Sequence, residues 1–170
     1  AVSAVEIPNL ISTSLQIASS DRPGPVHLDI PQNIQAELIN KYRKIEIAQL
    51  SSNPPSKNMI DQVINLINQS MRPVIISGHG VIRSNGTDAL PECAQLLGAP
   101  VATSRSGIGS INSSSEHSVG MLGFYGTSTA SEAVSSADLL LVIGCSLGEQ
   151  TTYGWKPNLF AEGSKIIQVD

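Results

Sequence analysis

Arg72-Pro73-Val74-Ile75-Ile76-Ser77-Gly78-His79-Gly80 decides how the rest of the chain is read. Val74, Ile75 and Ile76 form an unbroken β-branched run, the pattern of a strand buried on both faces of a parallel sheet. The run stops at Gly78-His79-Gly80, where two glycines allow a tight turn and leave room for a ligand to approach. A helix-like segment follows. Strand, glycine-rich turn and helix form the entry unit of a nucleotide-binding α/β domain. A turn that needs glycine for packing alone carries the same residues, so the neighbouring segments have to discriminate.

Downstream the alternation continues. Ser56 caps a helix in which Met59, Ile60, Val63, Ile64, Leu66 and Ile67 line one face, and the strand at 73–77 follows it. Asp88 to Leu97 reads as a second helix, with Pro91 in its first turn and Gly98 and Pro100 ending it. Val101-Ala102-Thr103 is a short strand that runs into the small-residue turn Ser104 to Gly109. Leu122-Gly123-Phe124-Tyr125-Gly126 is a third such turn, with a short Ala- and Ser-rich helix from Thr127 to Ser136 behind it. Asp138 to Ile143 is the strongest buried strand and ends at Gly144-Cys145-Ser146. Residues 147–163 read as loop, and Lys165 to Asp170 as a final strand. This order predicts an α/β fold: a Rossmann-like domain whose mostly parallel sheet is flanked by helices, with right-handed crossovers.

Upstream, Val5, Ile7, Leu10, Ile11 and Leu15 give helical spacing across Val2 to Ser20, and Pro8 sits near the start. Asp21 to Gly24 is a turn, and Pro25 to Pro31 a short strand bracketed by prolines. Residues 32–55 form a polar connector ending in Asn53-Pro54-Pro55, so a domain boundary is expected there. The chain opens on Ala1, inside what reads as a helix, and is expected to be a piece of something longer.

Composition narrows the partners. With 41% hydrophobic, 14% charged and 4% aromatic residues and a net charge of −4, the chain suits neither a nucleic-acid surface nor a membrane span. Cys93 and Cys145 lack metal-type spacing, as do His27, His79 and His117, and the two cysteines are expected to be reduced thiols of a cytoplasmic protein.

In a parallel sheet the turns that follow the strands share the carboxyl edge, where ligands bind. The turns at 78–80, 104–109 and 144–146 are expected on that edge, and 123–126 arrives there from a connector. They bring glycines, the hydroxyls of Thr103, Ser104, Ser106 and Ser146, and helix N-termini that favour phosphate. Asp170 ends a strand where a carboxylate can meet a ribose hydroxyl. Parallel sheets also need small residues at strand ends merely to turn into helices, and both readings stand at this level. His79 has no acid–base partner in the pattern, and no nucleophile–base order is present, so no catalytic residue is expected.

Several separated motifs resemble one family. Arg22-Pro23-Gly24-Pro25-Val26 with Asp29-Ile30-Pro31 resembles the segment closing the first domain of thiamine-diphosphate-dependent enzymes of the acetolactate synthase group. Arg72 to Gly80, Ala99 to Gly109, Leu122 to Gly126, Ala137-Asp138-Leu139 and Ile143-Gly144 then resemble their central domain, in the same order. The resemblance implies three domains in the parent. Residues 1–31 would be the tail of the pyrimidine-binding domain, 32–55 a linker and 56–170 the central domain. The activating glutamate and the Gly-Asp-Gly stretch that holds magnesium and the diphosphate belong to the other domains. The fragment is therefore expected to be inactive alone, with the missing pyrimidine- and pyrophosphate-binding domains as its partners in a homo-oligomeric transferase or lyase acting on 2-oxo acids.

The resemblance also implies a position for FAD, which acetolactate synthases hold in the central domain. The corresponding residues are Gly78, His79, Gly80, Thr103, Ser104, Gly123, Phe124, Tyr125, Gly126, Gly144 and Cys145. Ser146 and Gln150 depart from it, because flavin-binding members usually carry arginine at the first of these places and commonly at the second. The alternative expectation is a stand-alone flavin- or nucleotide-binding module without catalysis.

Overall fold

The computed structural model describes residues 1, 3–20, 23–39 and 54–170. Most of the expected linker (40–53), Asp21-Arg22 of the expected turn, and Val2 lie outside the described residues. The chain divides into two compact units, Ala1–Pro54 and Pro55–Asp170.

In the first unit, a single 3-10 turn at Ala4–Glu6 leads into helix α1, Ile7–Ser19, with proline in its first turn as the sequence requires. Residues 25–31, expected as a strand, form none. A strand exists as part of a ladder, and no ladder partner for this segment is present among the described residues. Immediately after it, helix α2 (Gln32–Gln35) occupies part of what reads as irregular connector, and the Gln35 amide closes back onto Ile30 O at 2.7 Å.

The second unit opens with helix α3, Lys57–Gln69, whose first turn is capped by Ser56 Oγ accepting from Met59 N at 3.3 Å. Then come β1 (Pro73–Ser77), α4 (His79–Arg83), α5 (Ala89–Leu97), β2 (Val101–Thr103), β3 (Ser118–Met121), α6 (Ser128–Ser136), β4 (Leu139–Ile143) and β5 (Lys165–Val169). Gly98 ends α5 in the left-handed conformation, φ +59°, which a residue without Cβ adopts freely. The described strands form one sheet in the order β3-β2-β1-β4-β5, parallel at every pairing.

Alternation along the central strands sorts the core into two layers. Val74 and Ile76 of β1, with Leu140 and Val142 of β4, face α6 through Ala130 and Val134. Ile75, Leu139 and Leu141 face the other way, onto Val81, Leu90 and Ala94 of α4 and α5, with Val63, Leu66 and Ile67 of α3 packed alongside. Full burial of each such aliphatic side chain stabilises the fold by about 1.5–3 kcal/mol. Because both faces are covered, the strands read as continuous apolar runs, which is why they are visible in the sequence.

Strand β3 has no such signature. Ser118-Val119-Gly120-Met121 is half-buried throughout and is a strand because β2 pairs with it, across a register shift between Val101 and Ala102. Strand order reverses between β1 and β4, so the crevice where doubly wound sheets take ligands falls at the carboxyl ends of those two strands.

At the opposite edge, Asp138 joins two turns. One carboxylate oxygen accepts from Ser70 Oγ and from Arg72 N at 3.0 Å, and the other from Met71 N at 2.8 Å. The Ser70 hydroxyl first, then the Met71 N–H, hold the Asp138 carboxyl below the usual carboxylate range. A carboxyl depressed in the folded state stabilises the fold above its unfolded pKa, and that contribution is lost as pH falls through the lower folded value. Asp138→Asn is therefore expected to lower the melting midpoint at pH 7. The gap from the parent chain should close in acid, as thermal scans across the acidic range would show.

Candidate functional site

The turns after β1, β2 and β4 meet at the carboxyl edge. Gly78 N–H donates to Ile143 O and Gly80 N–H to Gly144 O, both at 2.9 Å, and Gly144 N–H donates to Val169 O at 2.7 Å. The room left by the missing side chains is taken by main chain. A Cβ on Gly78 would run into Gly144 O and Cys145 Cα, and one on Gly80 would lie 2.6 Å from Gly144 Cα. Gly144 itself sits at φ +57°, where a Cβ would come within 2.6 Å of both Gly80 Cα and Val81 N. Here glycine is required twice over, by conformation and by contact.

The β2 turn closes on the same structure. Ser104 N–H donates to Ser77 O at 2.8 Å, while Ser104 Oγ accepts from Gly107 N at 3.1 Å. A Cβ on Gly107 would collide with Ser77 O. Beneath it Ser77 Oγ donates to Ser110 Oγ at 2.7 Å in full burial, and Gln168 Nε2 donates to Cys145 O at 3.1 Å. Burial pushes the Cys145 thiol up, more than the Leu147 N–H and the Ser104 hydroxyl bring it down. The thiol therefore stays protonated near neutrality, the reverse of an activated nucleophile. The half-buried Cys93 thiol is pushed up by burial too.

Residues 122–127 form a third, outer part. Leu122 N–H donates to Thr103 O at 2.9 Å, and Phe124 N–H to Gln150 O at 3.1 Å, against which Gly123 is packed. Gly126 N–H donates to Gly123 O at 2.7 Å, and Thr127 caps α6 by accepting from Ala130 N at 3.1 Å. Phe124 and Tyr125 are exposed, as is His79, which heads α4. Thr103, Ser104, Gly78, Gly123 and Cys145 are buried, while Ser106 and Ser146 face out. The sheet thus gathers Gly78, Gly80, Thr103, Ser104, Gly144 and Cys145 at one edge, and sets Phe124 and Tyr125 on its rim. Asp170, just past β5, lies near enough for its charge to bear on Cys145.

Two features of the rim have no sequence signal. Arg105 Nη1 donates to Gln150 Oε1 at 2.8 Å, tying the β2 turn to the loop after β4 across 45 positions. Phe124 meets Tyr153 edge-on, with ring centroids 5.6 Å apart, and the Tyr153 hydroxyl lies 2.5 Å from Ser131 Oγ. Each contact joins separate loops, so neither spacing nor periodicity reveals it. Among the described residues, no group of three His, Cys, Asp or Glu is arranged to hold a metal ion, and no helix is long and apolar enough to cross a membrane.

Comparison with known proteins gives this edge a context. Residues 60–170 match the family model described as thiamine pyrophosphate enzyme, central domain. The chain is 37% identical to acetolactate synthase 1, chloroplastic, of Zea mays over 97% of its own length and 26% of the relative's. It is 35% identical to acetolactate synthase, chloroplastic, of Arabidopsis thaliana, again over 97% of this chain and 25% of the relative. A Methanococcus aeolicus protein assigned as an acetolactate synthase large subunit is 34% identical, over 97% of this chain and 28% of that protein. The chain thus spans about a quarter of the length of these relatives. In fold it is similar to the X-ray structure of a Mycobacterium smegmatis protein assigned as a thiamin diphosphate-dependent enzyme. The TM-score is 0.71 at 24% identity, over 99% of this chain and 32% of the other. With an all-parallel β3-β2-β1-β4-β5 sheet and a family match running through it, the chain belongs to the thiamine pyrophosphate enzymes, as their central domain.

Proposed function

We propose that the parent protein is a thiamine-diphosphate- and magnesium-dependent enzyme, a transferase or lyase that makes or breaks the bond beside the carbonyl of a 2-oxo acid. The observation that carries this reading is the similarity to acetolactate synthases over 97% of the chain. The cofactor would supply the nucleophile and electron sink. The residues that hold it would lie in the pyrimidine- and pyrophosphate-binding domains, with 1–31 as the tail of the former, 32–55 as linker and 56–170 as the central domain. A stand-alone flavin or nucleotide module is the weaker reading, since the matched family is a domain of a larger enzyme.

Within that enzyme the central domain serves as a rigid spacer. Its carboxyl edge is a closed main-chain interlock. Met59, Ile60 and Ile64 on α3, and Ile166 and Val169 on β5, remain exposed apolar surface. Such surface suits burial against other domains or further copies in a homo-oligomer. Cys93 and Cys145 are free thiols, which suits the reducing cytoplasm.

The full-length protein, supplied with thiamine diphosphate, magnesium and a panel of 2-oxo acids beginning with pyruvate, is expected to release carbon dioxide in a reaction that needs both cofactors. Failure to bind thiamine diphosphate would overturn the reading. The spacer role makes a separate prediction for stability. Gly144→Ala combines left-handed strain with a main-chain clash and should destabilise the purified chain by about 2–5 kcal/mol. Ser146→Ala, two residues on and exposed, should stay within about 0.5 kcal/mol. Chemical denaturation of the two variants compares them directly.

A further inference from the structure

FAD is the dinucleotide that the resemblance to acetolactate synthases places at this edge, and the residues present do not fit it. We infer that this central domain takes up no flavin or other dinucleotide, because the turns that would cradle a pyrophosphate have closed on one another. The inference rests on the family assignment and goes beyond the reaction proposed above.

A pyrophosphate bound at the switch point of a parallel sheet needs three things: unoccupied N–H donors, space at the glycines, and positive charge. At Ser104 and at four of the glycines the donors are engaged. The N–H groups of Gly78, Gly80, Ser104, Gly126 and Gly144 all donate to protein carbonyls. The space is filled as well, since a Cβ on Gly78, Gly80, Gly107 or Gly144 would meet protein backbone closer than contact distance. In a ligand cradle the missing Cβ atoms face the ligand.

The charge is missing too. The turns at 78–80, 104–109, 122–127 and 144–150 contain one arginine, no lysine and one glutamate. That arginine, Arg105, is hydrogen-bonded to Gln150, and the Asp170 carboxylate acts on the same edge. Ser146 and Gln150 stand where the resemblance implies arginine, so neither position supplies the fixed cation that would offset two phosphates. An open groove does exist between α6 and residues 153–159, lined in part by Ser131, Glu132, Tyr153 and Lys156, but none of the glycine turns borders it.

Two measurements on the full-length protein test this. The first is the flavin released on denaturing freshly purified protein, read by fluorescence. The second is calorimetric titration of FAD, and separately of ADP, into protein already holding thiamine diphosphate and magnesium. The expected result is no flavin above trace, no saturable heat from either ligand, and 2-oxo acid turnover unchanged by added FAD. About one flavin per chain, or a saturable titration with FAD or ADP, would overturn the inference. The titration reports on flavin even if turnover of 2-oxo acids is absent, so failure of the proposed reaction is read separately. The double variant Ser146→Arg/Gln150→Arg separates the causes. It should remain unable to bind FAD, because the main-chain donors stay engaged. Saturable FAD binding by that variant would show that missing charge, not closure, had excluded the ligand, and would overturn the closure argument.

Discussion

The contact between Gly144 and the Gly78–Gly80 turn is the constraint on which the second unit depends. β1 and β4 are neighbours at the middle of the sheet, and each must turn at its carboxyl end into a different connection. Both turns leave the sheet at the same level, because Ser77 and Ile143 are register partners. Two chains diverging from adjacent strands, about 4.8 Å apart, have no space for side chains between them. Glycine on both sides resolves the conflict. The Gly78–Ile143 and Gly80–Gly144 hydrogen bonds then tie the two turns together just past the sheet.

From that contact the rest of the edge follows in order. With Gly78 and Gly144 in van der Waals register, the β2 turn can approach only where it too lacks a side chain, which places Gly107 over Ser77 O and Gly78. Ser104 then falls within reach of Cys145, and Ser77 within reach of Ser110. Of the hydroxyls that a reading of the sequence offers to a ligand, that of Ser104 is therefore already partnered inside the protein, while Ser106 and Ser146 face out. A buried hydroxyl left without such a partner would cost about 1–3 kcal/mol, so partnering stabilises the edge as it closes it.

Legibility in the sequence tracked the number of covered faces. β1 and β4 are buried on both sides and read directly from Val74-Ile75-Ile76 and Leu139 to Ile143; α3 and α5 read from Ser56 and Gly98 at their ends. β3 did not, since an edge strand with half-buried residues carries no apolar run. Residues 25–31 have the composition of a strand but no described partner, and composition alone does not make a ladder. At the candidate site the glycines were found by their spacing. What they touch was not, because Gly78 and Gly144 are 66 positions apart and their contact is made by atoms every residue possesses. Asp138 and Arg105 were missed as bonding residues for the same reason: their partners lie 68 and 45 positions away.

The chemistry of the edge also explains why a domain of this kind suits a spacing role. His79 is exposed at the head of α4. Cys145 is held as a neutral thiol by the burial that makes it useful in the core. Any substitution that frees a donor here, or opens a cleft, must first separate Gly80 from Gly144 and so detach β1 from β4 at their shared end. Ligand space and sheet integrity therefore compete for the same atoms, and in this chain sheet integrity holds them.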